Sequence, residues 1–467
     1  MEIEFVGGAR TVTGSKHVVR TDKATVLLDC GLFQGRRQES NERNHHLGVD
    51  PKELSAVVLS HAHIDHSGAL PLLVKQGYGG AIHSTAATRD LCAAMLIDAA
   101  LIQAADARYV NKRIQRDGAD MTLVEPLYTE ADALRALEQF ETLGYHRKRR
   151  IAPGVELTFL DAGHVLGSAV VVLDMDDEGE RKRLVFTGDL GRKGTPILRD
   201  PEVPDGAHVL VSESTYGDRL HGNVDEMDDA LGAALHKAHA RGGKVIIPSF
   251  ALERAQEIVF ALKRLTQKGK LPRMPVYVDS PLTVKITEVF KLHPECFDEH
   301  ARALLSHRDS PFVFEDLSYV EDKRDSQELD RSPGPAVIIS ASGMCEGGRV
   351  VHHLQAGVED PRNMVIIVGF QAQHTLGRRL VERRERVRIF GVERDLRAEV
   401  VVLNGFSAHA DQAGLIQFAE DVRARGPLRD VLLVHGEPKA QDVLRKELQR
   451  LHFPSVRCPA PREKLRF

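Results

Sequence analysis

His61-Ala62-His63-Ile64-Asp65-His66 places four metal-ligating side chains within six residues, directly after the apolar run Ala56-Val57-Val58-Leu59. No other feature of the chain limits its fold as tightly. A strand must deliver this cluster to a rigid edge, because ligands that converge on an ion need a fixed frame. On an extended segment His61 and His63 point the same way and can reach one metal. The chain must then turn for Asp65 and His66 to face a second ion beside the first. A helical zinc motif carries its histidines at i and i+4, so this pattern is a different one. Two divalent ions held close together activate water for hydrolysis.

The same grammar recurs downstream. His164, Asp189, Glu213 and His435 each follow an apolar stretch, and Asp29 closes the stretch over residues 24–29. Functional residues gather at strand ends in layered α/β folds, where loops converge on a rigid sheet. Strands are expected over residues 2–7, 24–29, 155–161 and 208–212, and a hairpin over 169–175 and 183–187 turning at 176–180. Helices are expected over 86–113 and over 129–142, the second with Thr129 as N-cap and Asp132 as its weaker capping-box partner. From residue 225 the pattern changes. Helices over 225–241, 251–268 and 283–292 alternate with strands over 244–248, 276–279, 336–340 and 364–369, the signature of parallel βαβ units. After a strand over 400–403 the chain closes with helix 412–423, strand 430–435 and helix 440–451. The polar stretch 310–335 reads as a long surface loop.

Composition removes several function classes. The 467 residues can bury a large core and suit two or three domains. Apolar runs fall short of the roughly 18 residues a membrane helix needs, so no membrane association is expected. The acidic, strand-like start Met1-Glu2-Ile3-Glu4 does not read as a signal peptide. Five scattered cysteines without a CxxC pair point away from a disulfide framework and toward the cytoplasm. A net charge of −4 gives no global basic field. The arginines between 378 and 397 are interleaved with Glu382, Glu385, Glu393 and Asp395, and read as a solvated helix face. His45, His46, His146, His236, His239, His300, His307 and His452 read as surface residues, and His352-His353 as part of a helix.

Taken together, His61-x-His63-x-Asp65-His66, His164 after Gly163, and Asp189 in Phe186-Thr187-Gly188-Asp189 resemble the metallo-β-lactamase hydrolase superfamily. Ser212-Glu213-Ser214-Thr215, Phe406-Ser407-Ala408-His409 and Val434-His435-Gly436 are similar to motifs A, B and C of its β-CASP branch, a group of nucleic-acid nucleases. The resemblance implies an αββα sandwich over residues 1–217 and 405–467, with a parallel α/β β-CASP domain inserted over 218–404. It implies two zinc ions, with manganese as the alternative. His61, His63 and His164 would bind one ion, Asp65, His66 and His435 the other, and Asp189 would bridge them. Asp29 would orient a ligand histidine from behind. Asp65, Glu213 and His409 would be the catalytic residues, with His409 as a general acid kept protonated by Glu213.

Ser249, Ser340, Ser342 and Arg378 would contact substrate phosphates. Two positions depart from the family pattern: Glu253 and His374 stand where a glycine is frequent. The implied function is a ribonuclease, endo- or 5′-exonucleolytic, in which a hydroxide activated by the two metals cleaves single-stranded RNA. A homodimer is left open. Hydrolysis of a small ester or thioester is a second reading, and a non-catalytic RNA-binding scaffold a third. The large phosphate-handling insertion argues against the second and the complete ligand set against the third.

Overall fold

The computed structural model describes residues 1–35, 37–117, 123–222, 224–369 and 371–467. Two compact units emerge: one of Met1–Lys193, Asp200–Leu220 and His409–Phe467, the other of Gly194–Arg199 and His221–Ala408.

The first unit is the expected αββα sandwich. One seven-stranded sheet runs Lys464–Arg466, Glu2–Gly7, Lys16–Arg20, Thr25–Leu28, Ala56–Val58, Ile82–Ser84, Phe140–Thr142. The other runs Val456–Arg457, Asp430–Leu433, Val209–Ser212, Glu180–Phe186, Ala169–Asp177, Val155–Asp161, Lys148–Ala152. Their facing sides form one core, in which Ile3, Phe5, Val26 and Leu28 meet Phe159, Val171, Leu173, Phe186 and Val211. Alternation sends Val170, Val172, Val185 and Leu210 to the outer face, against Leu415, Phe418, Leu444 and Leu448 of the helices Gln412–Ala424 and Pro438–Arg450. Each sheet mixes antiparallel and parallel pairs; His61, Glu213 and His435 follow the parallel-paired strands Ala56–Val58, Val209–Ser212 and Asp430–Leu433, whereas His164 follows Val155–Asp161, which pairs antiparallel on both sides.

The second unit holds a six-stranded sheet in the order Leu317–Val320, Val276–Asp279, Val337–Ser340, Val245–Pro248, Met364–Ile367, Glu399–Val402, all parallel. Its central strands read as short apolar runs because both faces are covered.

Three expectations fail locally. Residues 310–335 are not a loop: Leu317–Val320 forms the sheet's edge strand and Lys323–Arg331 a helix capped by Asp322, which buries Ser326 and Leu329. An edge strand needs one buried flank only, so its polar composition hides it. The arginine-rich stretch is a helix face only at its start, where Arg378 and Arg379 lie on the helix Leu376–Val381. Arg386–Ile389 and Val392–Asp395 form a hairpin whose register sets Arg386 opposite Asp395 and Arg388 opposite Glu393. Its turn, Phe390-Gly391, has φ of 49° and 81°, the backbone of a two-residue hairpin loop. The helix begun at Glu130 stops at Glu138, and Phe140–Thr142 continues as a strand.

Candidate metal centre

Each ligand-type residue is set by the end of a strand. The stretch after Ala56–Val58 stays extended through His61 and His63, then winds into the one-turn helix Ile64–Ser67, which carries Asp65 and His66. Asp29 follows Thr25–Leu28 with φ 57°, and His435 follows Asp430–Leu433 with φ 46°. Gly163 and Gly188, at φ 61° and 54°, precede His164 and Asp189. The left-handed turns swing the next side chains off the strand line, and such strained positions cluster at functional sites. His409 is held by a bridge to Gly191, and the Ala410 amide donates to the Leu190 carbonyl.

All seven candidate ligands converge. His61, His63, His164 and Asp189 form one group, and Asp65, His66 and His435 another. In the first group His61 Nε2 lies 3.0 Å from His63 Nδ1 and His164 Nε2 lies 3.4 Å from it. Asp189 Oδ2 is 3.5 Å from His61 Nε2 and 3.6 Å from His164 Nε2. A tetrahedron with bonds of about 2.05 Å to zinc has edges of about 3.3 Å, so the donor set fits such an ion. In the second group His66 Nε2 and His435 Nε2 are 3.2 Å apart, and Asp65 Oδ2 is 3.5 Å from His435 Nε2. Asp189 Oδ1 lies 3.4 Å from His66 Nε2, so its two oxygens address different groups.

Burial tunes this cluster. His61, His66, His164, Asp189 and His435 are all at most 3% exposed. Burial, then the neighbouring His66, holds His61 well below the ordinary imidazole range, and burial brings His63 down to about 4. Both are therefore neutral and able to ligate. Burial would lower His66 too, but Asp189 and Asp29 outweigh it and raise it well above its usual range. Burial opposes ionisation of Asp189, yet His435 and His66 hold its carboxyl well below the usual value.

Two buried carboxylates stand behind the cluster. Asp29 Oδ2 accepts from His66 Nδ1 at 2.7 Å and from the hydroxyls of Ser60 and Ser15, while Oδ1 takes the Ser60 amide at 2.8 Å. Glu213 takes the Leu190 amide on Oε1 at 2.6 Å and the Thr215 amide on Oε2 at 3.3 Å. Both its oxygens also face His409 Nδ1, at 3.0 and 3.2 Å. Burial opposes protonation of His409, but Glu213 and Asp189 overcome it and raise its pKa to about 9. The His409 side chain keeps 21% of its surface open.

Ser15, Ser60 and Thr215 carry support that the sequence reading missed. Thr215 Oγ1 sits 3.3 Å from His435 Nδ1. Their position was the available signal: Ser60 directly precedes His61, and Thr215 follows Glu213 by two residues. Gly31 was missed as well; a Cβ there would come within 1.6 Å of the Asp65 carbonyl oxygen, so the ligand loop packs on bare backbone.

The four candidate phosphate contacts lie in the second unit. Ser249 and Ser340 are buried, and their hydroxyls donate to the carbonyls of Phe250 and Asp279. Ser342 donates to the Gly347 carbonyl at 3.3 Å. Arg378 is more open and pairs with Glu382 at 2.9 Å. Glu253 and His374 have φ of 67° and 71°, the backbone a glycine favours.

Three family models match the chain: the metallo-beta-lactamase superfamily over residues 13–220, the Beta-Casp domain over 255–380, and the Zn-dependent metallo-hydrolase RNA specificity domain over 393–459. Among curated relatives, ribonuclease TTHA0252 of Thermus thermophilus is 40% identical, covering 94% of this chain and 93% of that protein. An RNase J-like protein of Methanocaldococcus jannaschii is 32% identical over 93% of this chain and 92% of its own length. Transcription termination factor FttA of Methanosarcina mazei is 31% identical, covering 94% and 67%. A solved protein of unknown function from Enterococcus faecalis superposes with a TM-score of 0.55 over 99% of both chains at 13% identity, a likeness of fold alone.

Proposed function

The chain belongs to the β-CASP branch of the metallo-β-lactamase superfamily, and on that premise we propose a metal-dependent ribonuclease that hydrolyses phosphodiester bonds of single-stranded RNA. One observation carries this reading: seven buried or half-buried ligand-type side chains converge beside a His409–Glu213 pair whose imidazole edge stays open. Relatives named as ribonucleases support the substrate class.

In this reading His61, His63, His164 and Asp189 would hold one zinc ion and Asp65, His66 and His435, with Asp189, a second, manganese being the alternative. Bound there, such a pair supplies Lewis acidity toward a phosphoryl oxygen and a water of lowered pKa. The remaining work falls to side chains. Asp29 grips His66 Nδ1 and so fixes which ring nitrogen faces the centre. Asp65, next to His435, is the carboxylate placed to orient the attacking water. Glu213, pinned by two amides, holds His409 Nδ1. His409 Nε2 is then the atom that hands a proton to the leaving ribose oxygen, a general-acid role suited to an imidazole kept protonated by a buried carboxylate.

We assign catalysis to residues 1–217 and 405–467 and substrate holding to 218–404. There Ser342 and Arg378 meet phosphate oxygens, while Ser249 and Ser340 shape the strand ends that present them. Among the described residues no helix is long and apolar enough to cross a membrane. The five thiols are free, which suits the cytoplasmic location we assign.

The test is cleavage of 5′-labelled single-stranded RNA by metal-loaded protein, with and without chelator, beside His63→Ala. Cleavage abolished by both treatments is expected, and the product ladder separates endonuclease from 5′-exonuclease. Chelator-resistant cleavage, or none by the loaded protein, overturns the reading.

A further inference from the structure

The helix Ala86–Asp117 buries one side and leaves three large apolar side chains open among the charges of the other. Leu96, Ala100 and Ala107 face inward, at most 7% exposed. On the opposite side Leu101, Ile102 and Tyr109 are 51%, 55% and 69% exposed. Three of the eleven exposed large hydrophobic side chains among the described residues thus gather on one face of this helix. Such a patch marks a surface that another molecule covers.

The order of residues along this face identifies the occupant. At 100° per residue, Asp98, Leu101, Ile102, Ala105, Arg108, Tyr109 and Lys112 fall within about 60° of one line. The small Ala105 is at its centre. An antiparallel copy crossing there pairs each position with the one equally far on the other side of 105. Leu101 meets the partner's Tyr109, Ile102 meets the aliphatic stem of the partner's Arg108, and Asp98 meets the partner's Lys112, each contact occurring twice. The acidic end of the stripe therefore faces the basic end, and the apolar middle faces itself. Asp98 offsets one of the stripe's two cations, Arg108 and Lys112, so the stripe lacks the row of cations that an RNA backbone requires.

We propose that this face is the seat of a second copy of the chain, packed antiparallel about a two-fold axis at Ala105. The contact runs about 21 Å along the helix, small for a specific interface, so association falls in the micromolar range.

Sedimentation equilibrium of the full chain tests this between about 1 and 100 µM. The mass is expected to rise toward twice 51.7 kDa. Leu101→Asp should stay at the single-chain mass with an unchanged circular dichroism spectrum, and so should Tyr109→Ser. Asp98→Lys and Lys112→Asp should each be monomeric alone, yet associate when mixed, because every pair in the mixed dimer is again Lys with Asp. Three results overturn the proposal: a wild-type chain that stays monomeric, a dimer that survives Leu101→Asp and Tyr109→Ser, or a mixture of the two charge variants that associates no better than either alone. The readout is independent of nuclease activity.

Discussion

Asp29 accepts four hydrogen bonds on two oxygens, from Ser60 twice, Ser15 and His66. His409 is not among the seven candidate ligands: it is bonded to Glu213, stands 3.9 Å from Asp189 and packs its ring beside that of His164, with centroids 4.5 Å apart. The two residues should therefore fail differently. Asp29→Ala frees the His66 ring to rotate, and metal affinity should fall about 10–100-fold in a metal titration. His409→Ala should keep its metal and slow cleavage by about 10²–10⁴-fold. Metal loss in His409→Ala, or unchanged affinity in Asp29→Ala, would exchange the roles assigned to them. Backbone conformation gives a second residue-scale prediction. At Glu253 φ is 67°, with ψ −57°, at the N-terminus of the helix Arg254–Gln267. Glu253→Ala and Glu253→Gly both delete the side chain and differ in the Cβ alone. Glycine in a helix usually costs stability relative to alanine; here it should be more stable by about 1 kcal/mol in urea unfolding, because alanine retains the strain. Alanine proving the more stable would mean the turn is not strained.

At the level of elements, the strands that carry ligands were legible because Ala56–Val58 and Val209–Ser212 are buried apolar runs stopped by a polar residue, while Val155–Asp161, ahead of His164, alternates buried and open positions. The chain around Thr129 was legible for another reason, its capping chemistry. Thr129 Oγ1 accepts the Asp132 amide at 3.3 Å, and Asp132 Oδ2 takes the Thr129 amide at 2.8 Å, the reciprocal pair that starts the helix Glu130–Glu138. Thr129→Ala should cost about 1 kcal/mol in urea unfolding, and Thr129→Ser much less; equal losses would show that the methyl, not the hydroxyl, matters. What the sequence hid were elements whose partners are remote. Leu317–Val320 shows a half-buried pattern that makes sense beside Val276–Asp279 alone. In the hairpin Arg386–Asp395 the alternating charges pair across strands, yet the same residues spaced along a helix would also pair. Periodicity cannot separate the two without the turn at Phe390-Gly391.

Across the whole molecule the buried charges divide between the two units, and that division makes stability respond to two different conditions. In the first unit the clustered histidines and carboxylates form groups that could hold a divalent metal. Metal that binds the folded state alone stabilises it by about 2.7 kcal/mol per site at a hundredfold excess over its dissociation constant, and a chelator removes that contribution. In the second unit Asp279, fully buried, accepts from His353 Nε2 at 2.7 Å and Arg349 Nη1 at 2.6 Å, while His353 Nδ1 donates to Asp330 at 2.6 Å. The sequence placed His353 in a helix and could go no further, because its partners are 74 and 23 residues away. Burial opposes its protonation, but the bonds to Asp279 and Asp330 raise its pKa to about 9. A group raised above its unfolded value near 6.5 stabilises fully below that pH and loses its contribution as pH climbs through 9. The contribution at stake is about 3 kcal/mol. Asp279, whose carboxyl is held low by His353, Ser326 and Arg349 against the cost of burial, acts in the opposite window and weakens the unit only in acid. Because each unit has its own core, thermal unfolding should show two transitions with separate sensitivities. Chelator at pH 6.5 should lower the transition of the first unit. Raising the pH from 6.5 to 9.5 in excess metal should lower that of the second, and His353→Gln should abolish that pH response while leaving the chelator response intact. One shared transition that moves equally under both treatments would mean that the units unfold together and that neither charge cluster governs its own unit.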